Sequence, residues 1–561
     1  MGTSYEEAIA QITRPGGPFE ISEAVIRGER LRVFKNTPPS LRSLWDLARA
    51  RGEQTFLVYE DESWSWAETM RHVDALAAAL VHRFGVAPGD RVAIAMRNYP
   101  EWIIAFAAVT SIGGVAVSMN AWWTADETDY GLRDSGSRVL IADPERLERA
   151  AASMPELGIR AIAVRSGSKP LPAGAERYED AISLGHAMPD VAPDPHADAT
   201  ILYTSGTTGR PKGAVSTHHA VLSALLCFGC QAAVRAMLTP ETGEQKKYPT
   251  SFILAVPLFH VTGCVAVMLS CVAAGCKLVI MHKWNAERAL ELIERERITN
   301  FVGVPTMSWD LLESPEFARR DTSSLKAVGG GGAPAPPELV RRIDKGFRNA
   351  GPGIGYGMTE TNAYGPQNAG PEYLRRPTSC GRTVPVVEIR VTDENGTPLP
   401  AGSVGEIWFR GPNLIRGYWN RPDATAETIV DGWLRSGDLG RTDDEGYLYV
   451  EDRAKDMVLR AGENVYCAEV EAAIYEHPAV YEAAVFGLPH ERLGEEVAVS
   501  VFLKPGAQLG ADALQAHVRE RLAGFKVPSV VEFADAALPR NASGKILKRE
   551  IRDALAARRG C

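Results

Sequence analysis

From Asp74 to Pro305, short uncharged runs of strand length alternate with longer segments of helical periodicity, and this alternation restricts the fold more than any other feature. The segment DALAAALVHRF places Leu76, Leu80 and Phe84 on one helical face, Pro88-Gly89-Asp90 turns the chain, and RVAIAM (91–96) reads as a buried strand. The pattern recurs as helix in PEWIIAFAAVTSIGG, strand in VAVSM, strand in VLIAD (139–143) after a polar helix, and again through ALELIERERI and TNFVGVP. Strand runs this apolar, separated by helices, predict parallel sheets covered by helices, an α/β class.

With 561 residues the chain exceeds what one hydrophobic core sustains, so at least two are expected. After about Ser379 the texture changes to short strands with Gly and Pro turns, as in VEIRVTDENGTPLPAGSVGEIWFRGP, predicting a small β-rich subdomain over about 379–450. Near residue 452, YLYVEDRAKDMVLRAGENVY passes through a dense charge cluster into mixed helix and strand. The expected division is a large N-terminal domain, 1–452, and a small α+β C-terminal domain, 453–561, with a short joint at Asp452 to Lys455. No internal repeat stands out, and the only low-complexity tract is Gly329 to Gly332.

Ser251 to Cys276 carries no Asp, Glu, Lys or Arg and by length alone could span a bilayer. Pro257, His260, Gly263 and Gly275 divide it into strand, turn and helix, so a buried core segment is expected instead. The N-terminus MGTSYEEAIAQITRPGGPFE has no basic region followed by an apolar one, so no secretory leader is expected. Eight cysteines in so long a chain do not make a disulfide scaffold, and a reducing, cytoplasmic setting is expected. Cys227 and Cys230 form a CxxC without a second pair, inside HHAVLSALLCFGCQAAV, and read as small hydrophobes of a buried helix. GxSxG, HExxH and GxGxxG are absent, leaving hydrolase, zincin and dinucleotide-binding readings unsupported.

Lys and Arg total 61 against 70 Asp and Glu, a net charge of −9, which supplies no global field for nucleic acid or an anionic membrane. An anionic substrate must therefore meet local basic groups. The strongest such signal is Tyr203-Thr-Ser-Gly-Thr-Thr-Gly-Arg-Pro-Lys-Gly213, after a strand-like ATILY. Its glycines let backbone N–H groups approach phosphate oxygens, Thr204, Ser205, Thr207 and Thr208 add donors, and Lys212 adds a point charge. Pro211 before the lysine distinguishes this phosphate cradle from a Walker A loop.

This loop resembles the signature of the adenylate-forming superfamily of acyl-CoA synthetases, peptide-synthetase adenylation domains and luciferases. Further segments resembling that family follow in order: PLFHVTG (257–263), GGGGAPAP (329–336), GYGMTET (355–361), WLRSGDLG (433–440), DRAKDMVLRAGENVY (452–466) and PRNASGKILKRE (539–550). The resemblance implies attack of a carboxylate on the α-phosphate of ATP, then thiolysis of the acyl-adenylate by coenzyme A. It implies that Ser205, Gly206, Thr207, Thr208, Gly209 and Lys212 cradle phosphates, and that Glu360, with Thr204, holds Mg²⁺; Thr359 adds a hydroxyl. Gly332, Ala333, Pro334 and the Gly355-Tyr356-Gly357 turn are implied to enclose adenine, while Asp438, assisted by Arg453, grips ribose. Lys545 is implied as the catalytic lysine of adenylation. Most of the remaining charge between Arg540 and Arg559 is expected to form a solvated face. Lys455 is implied as the hinge of a rotating C-terminal domain, and Gly462 and Glu463 as the coenzyme A side. Cys467 and Arg460-Ala461 depart from the commoner family pattern around the thiol-side loop.

His260 alone would read as a satisfied core histidine; the resemblance makes it border the acyl site. Beyond it, Val261 to Met268 carries small and aliphatic side chains and no aromatic. Either Gly263 and Cys264 line an apolar acyl tunnel, or the segment packs a core helix. The first reading is an acyl-CoA synthetase for a medium- or long-chain fatty acid; the alternatives are an aryl-acid ligase of coumarate or benzoate type, or an enzyme loading a separate carrier protein. A non-catalytic scaffold is disfavoured because Lys212, Glu360, Asp438, Arg453 and Lys545 are all present. A peripheral membrane contact and a homodimer are compatible with this reading.

Overall fold

The computed structural model describes residues 4–204, 210–241, 243 and 245–559, and among these the strands form five sheets. Arg91–Ala95 lies between Val115–Ser118 and Val139–Ala142, all parallel, with Arg160–Ala163 beyond. Every residue of Val115–Ser118 and Val139–Ala142 is buried, so neither strand needs a polar face. The helix Pro100–Ser111 is buried all round and packs against Trp66–His82. The other flank of the sheet continues with Asp198–Thr204, parallel to Val115–Ser118, then antiparallel Lys212–Thr217 and Gly417–Tyr418. Ser205, Gly206, Thr207, Thr208 and Gly209 of the hydroxyl-rich loop lie outside the described residues.

In the second sheet, Ser251–Leu254 runs parallel between Lys277–Ile280 and Asn300–Gly303, so the strand order reverses there. Ligands of open α/β sheets bind outside the carboxyl ends of strands at such a reversal. Ala327–Gly331 and Gly351–Gly355 extend the parallel run. The segments leaving these carboxyl ends are PLFHVTG, VPTM, GAPAP and YGMTET, so one sheet edge collects motifs widely separated in sequence.

Short antiparallel strands follow: Glu388–Thr392, Gly405–Arg410, Ile429–Val430, Trp433–Thr442 and Leu448–Arg453. The last sheet holds Val458–Arg460, Glu463–Val465, Val480–His490, Gly494–Leu503 and Val530–Ala534, flanked by helices Cys467–Tyr475, Ala511–Arg519 and Lys548–Arg559. It has its own apolar clusters, one around Val470, Val485, Val499 and Leu514, another around Phe486, Leu538, Ile551 and Leu555. The fold is mixed α/β, with a large part built on mostly parallel sheets and a smaller C-terminal part.

One expectation changes. The uncharged stretch is a strand, Ser251–Leu254, a turn, and then π-helix over Thr262–Leu269 leading into α-helix Ser270–Ala274. Gly263 faces backbone rather than an open tunnel: a Cβ there would stand 2.1 Å from the Pro257 carbonyl oxygen. Cys264 has no exposed surface and belongs to the main core. Packing therefore wins over tunnel lining at these two positions, and Thr262 and Ala266 are the partly accessible residues of that turn. Most of the basic C-terminal run is solvated as expected, with Arg549, Arg552, Arg558 and Arg559 42–69% exposed, while Arg540 pairs with Glu482 at 2.6 Å and Lys548 with Glu471 at 2.6 Å.

Among the described residues one helix, His218–Leu238, is long and apolar enough to cross a membrane, and its Val221, Leu222, Leu225, Cys227, Cys230 and Val234 are buried in the main core. Burial pushes the Cys230 thiol up to about 12, which keeps it protonated and unreactive. Gly263→Ala is expected to destabilise the chain by about 1–3 kcal/mol through overpacking against Pro257. Denaturant midpoints of the variant and the parent measure this, and equal midpoints would show that the turn can relax.

Candidate active site

Thr204 and Lys212 end and begin neighbouring strands and face each other in register, with the Thr204 hydroxyl donating to the Lys212 carbonyl at 3.3 Å. The Gly417–Tyr418 strand pairs alongside, which brings the Tyr418 ring 5.0 Å from the Lys212 ammonium. The Tyr418 hydroxyl also donates to Glu360 Oε1 at 2.6 Å. Glu360 is buried, and desolvation pushes its carboxyl up against the opposing pull of the Tyr418 hydrogen bond and of Lys212 and Arg453.

A polar lattice beneath Glu360 holds the turn. Asn362 donates to the Asn413 carbonyl at 2.9 Å and accepts from the Ser216 hydroxyl at 2.9 Å. Asn413 in turn donates to the Thr361 carbonyl at 2.9 Å, and the Ile415 N–H donates to the Glu360 carbonyl at 2.9 Å. Tyr418, Ser216, Asn362 and Asn413 were not found by sequence reasoning. Tyr418 lies 58 positions from Glu360, and no local pattern joins them.

Tyr356 donates from its hydroxyl to Asp438 Oδ2 at 2.6 Å, while Arg453 Nε stands 3.5 Å from Asp438 Oδ1. Asp438 and Arg453 are register partners across the hairpin of Trp433–Thr442 and Leu448–Arg453. Burial pushes Asp438 up and Arg453 pulls it back. Gly332, Ala333 and Pro334 leave the end of Ala327–Gly331, Gly355 closes its neighbour, Gly357 follows Tyr356, and Thr359 opens the turn that carries Glu360.

Lys545 arrives from the far end of the chain. Asn541 clasps its backbone: Oδ1 accepts from the Lys545 N–H at 3.0 Å, and the Asn541 N–H donates to the Lys545 carbonyl at 2.9 Å. The side chain runs over Gly332, with Cε 3.2 Å from where a Cβ of that residue would stand. Burial, then the Arg453 charge, pushes the ammonium down to about 8, opposed by Asp438 and Glu360. Burial and the Lys545 charge hold His260 down to about 3, so its imidazole is neutral near pH 7. The structure therefore brings together Lys212, Glu360, Tyr356, Asp438, Arg453, Gly332, His260 and Lys545.

It does not bring Gly462 or Glu463 there. Gly462 sits in an exposed turn between Val458–Arg460 and Glu463–Val465, with φ +85° and open space beyond its Cα, and exposed Glu463 begins the second of these strands. Backbone conformation alone thus favours glycine at 462 in this arrangement. Lys455 lies in the turn between Leu448–Arg453 and Val458–Arg460.

The family model described as AMP-binding enzyme matches residues 44–419, and that described as AMP-binding enzyme C-terminal domain matches 469–545. The chain belongs to the AMP-binding enzyme family. It is 36% identical over 519 residues to a feruloyl-CoA synthase of an Amycolatopsis species, covering 91% of this chain and 98% of that one. It is 34% identical over 519 residues to a long-chain-fatty-acid–CoA ligase of Mycobacterium tuberculosis, covering 91% and 97%. The crystal structure of an anthranilate CoA ligase with anthranoyl-AMP superposes with a TM-score of 0.83 at 25% identity, over 93% and 98% of the two chains. This AMP-binding enzyme is accordingly an adenylate-forming acid–thiol ligase with ATP and coenzyme A as substrates.

In this enzyme Tyr418 donates a side-chain hydrogen bond to the Glu360 carboxyl at Oε1. Tyr418→Phe is expected to lower stability by about 1.5–3 kcal/mol, the range for a hydrogen bond to a charged group. Chemical denaturation near pH 7 measures it, and a loss below about 0.5 kcal/mol would show that Glu360 is held by other groups.

Proposed function

We propose that the enzyme couples an apolar carboxylic acid to coenzyme A, with Lys545 driving adenylation and then leaving the site so that thiolysis can follow. The observation that carries this reading is the position of the Lys545 ammonium, sunk beside Gly332 and His260 among Asp438, Glu360 and Arg453, at the one place where all these groups converge. A carboxylate oxygen of the acid attacks the α-phosphorus as the bond to pyrophosphate breaks. Lys545 neutralises charge that develops on the attacking and phosphate oxygens in that step. Lys212 and the loop Ser205 to Gly209 meet the β- and γ-phosphates, Asp438 takes the ribose hydroxyls with Arg453 beside it, and Gly332 to Pro334 with Gly355, Tyr356 and Gly357 line the adenine.

The donor set fits Mg²⁺. One buried carboxylate, Glu360, with Oε1 taken by Tyr418, and one hydroxyl, Thr204, are hard oxygen ligands of the kind that share this ion with substrate phosphates. Bound there, the ion would neutralise the departing pyrophosphate. Thr359 supplies a further hydroxyl at the start of that turn. Neutral His260 offers the acyl side a hydrogen-bonding edge without a charge.

The second step needs the thiol sulfur to attack the acyl carbon as AMP leaves. Rotation about Lys455 would withdraw Lys545 and carry Gly462 and Glu463 toward the site, with 1–452 and 453–561 as the two bodies. The acid is read first as a medium- or long-chain fatty acid, handled in the cytoplasm. An aryl acid is the second reading, favoured by the feruloyl-CoA synthase relative and by the withdrawal of Cys264 into the core.

A panel from acetate to palmitate beside benzoate, coumarate and ferulate, assayed for pyrophosphate release with and without coenzyme A, tests both readings. A rise in kcat/KM with aliphatic chain length supports the first. Preference for an aryl acid establishes the second, and turnover independent of coenzyme A would remove thiol ligation for the acid tested.

Lys545→Ala should slow adenylation by about 10² to 10³ or more while sparing thiolysis of supplied acyl-adenylate. Equal losses would refute this division of labour. Lys455→Pro should do the reverse and accumulate adenylate, because proline fixes φ near about −65°.

The same ammonium sets a pH dependence. With the Lys545 pKa lowered from 10.5 to about 8, kcat/KM for ATP should fall as pH rises through about 8, and Lys545→Ala should lack that limb. Between these two values the unfolded chain binds the extra proton, so this group's contribution to stability rises with pH across the window.

A further inference from the structure

Lys545 is not positioned by its own loop alone. The helix Pro305–Glu313, which leaves the second sheet just after Asn300–Gly303, forms a platform under the C-terminal part. At its start Val304 presses on the turn before the lysine: a Cβ on Gly544 would lie 2.9 Å from Val304 Cγ2. At its end two carboxylates reach across. Asp310 Oδ1 accepts from the Tyr481 hydroxyl at 2.6 Å while Oδ2 accepts from Trp284 Nε1 at 2.8 Å. Glu313 accepts from Arg342 at 2.6 Å and from Lys504 at 3.1 Å. Between them Trp309 stacks on Tyr475 at 6.5 Å, with Arg342 4.8 Å from the Trp309 ring.

A rigid relay joins this platform to the catalytic loop. Glu482, next to Tyr481 on the same strand, is buried and accepts from the Leu538 N–H at 2.7 Å and from Arg540 at 2.6 Å. Arg540 donates in turn to the Gly544 carbonyl at 2.8 Å, one residue before Lys545. Seating Tyr481 on Asp310 therefore fixes the strand whose next residue fixes the loop of Lys545.

We propose that Asp310 and Glu313 are positioning residues of the first half-reaction: by receiving Tyr481 and Lys504 they seat the C-terminal part, and through Glu482, Arg540 and Gly544 they place the Lys545 ammonium. This rests on the assignment of Lys545 to adenylation and of Lys455 to the hinge. None of the four side chains touches the cluster around Asp438 and Glu360, so their effect runs through Lys545. Release of the same contacts accompanies the second half-reaction, so weakening them penalises only the first.

The test uses the full-length enzyme with Tyr481→Phe, Lys504→Met and the double variant. Single-turnover pyrophosphate release without coenzyme A reads adenylation, and coenzyme A consumption of supplied acyl-adenylate reads thiolysis. The double variant should lose about 10- to 100-fold in adenylation, from the loss of one hydrogen bond to a carboxylate and one partly exposed ion pair, with thiolysis unchanged or faster. Lys504→Arg, which keeps the charge, should recover most of its share, and added salt should slow the parent more than the double variant. Lys545→Ala, assayed in parallel, separates the two claims. If it slows both steps alike, the underlying reading falls and the proposal with it. If it slows adenylation alone while the double variant slows both steps equally or neither, the contacts merely stabilise the fold and the proposal is overturned.

Discussion

The whole site hangs on burying opposite charges together. Glu360, Asp438 and Lys545 are each driven toward their neutral forms by desolvation; Arg453 pulls both carboxyls back, with Lys545 helping at Asp438, while the two carboxylates hold the lysine charged against Arg453. They reach one another from four separate segments, so the fold must first gather those segments at a single edge. The strand reversal at Ser251–Leu254 does this for PLFHVTG, GAPAP and YGMTET, and the hairpin pairing of Asp438 with Arg453 does it for those two side chains. Each carboxylate also keeps a local partner: Tyr418 and Lys212 for Glu360, Tyr356 and Arg453 for Asp438. Removing Lys545 therefore leaves no bare buried anion, and departure of the lysine carries a tolerable electrostatic cost.

Much of this was legible because His260, Gly332 to Pro334 and Glu360 each sit in a loop that follows a strand. A loop at a carboxyl edge is a contiguous string, and PLFHVTG, GGGGAPAP and GYGMTET could be read as units beside the apolar runs that precede them. The strands at 91–96, 115–119 and 139–143 were legible for a related reason: burial on both faces removes polar alternation and leaves an unmistakable run. Tyr418, Ser216, Asn362 and Asn413 were hidden because they act across long sequence separations on a carboxylate or on backbone carbonyls, and no spacing rule connects such partners.

Apolar composition could not decide Val261 to Met268. A core helix and a tunnel wall draw on the same residue types, and only the facing direction separates them. Here the segment is wound as π-helix, whose i→i+5 pattern shifts which residues share a side relative to the 3.6-residue period a reader assumes. Cys264 turns inward and Thr262 and Ala266 keep some exposure. The basic run from Arg540 is mostly a solvated face, as expected, and two of its charges turn inward. Glu482 and Glu471, whose side chains are 5% and 13% exposed, come from elements far upstream and draw Arg540 and Lys548 inward.

Those pairs also bear on the proposed release of the C-terminal part. Within the C-terminal part the ion pairs are tight and the carboxylates buried, so breaking one would strand a charge at a cost of about 3–5 kcal/mol. Across to the platform helix the ion pair is looser, because Lys504 and Glu313 are each 27% exposed. Such pairs contribute about 0–1 kcal/mol apiece, and water replaces them readily. In the proposed rotation, strong contacts inside the body and weaker ones at its seat would let the C-terminal part move as a unit, carrying the Glu482–Arg540–Gly544 relay intact. A seat built from fully buried pairs would hold Lys545 as well but would resist the release that thiolysis demands.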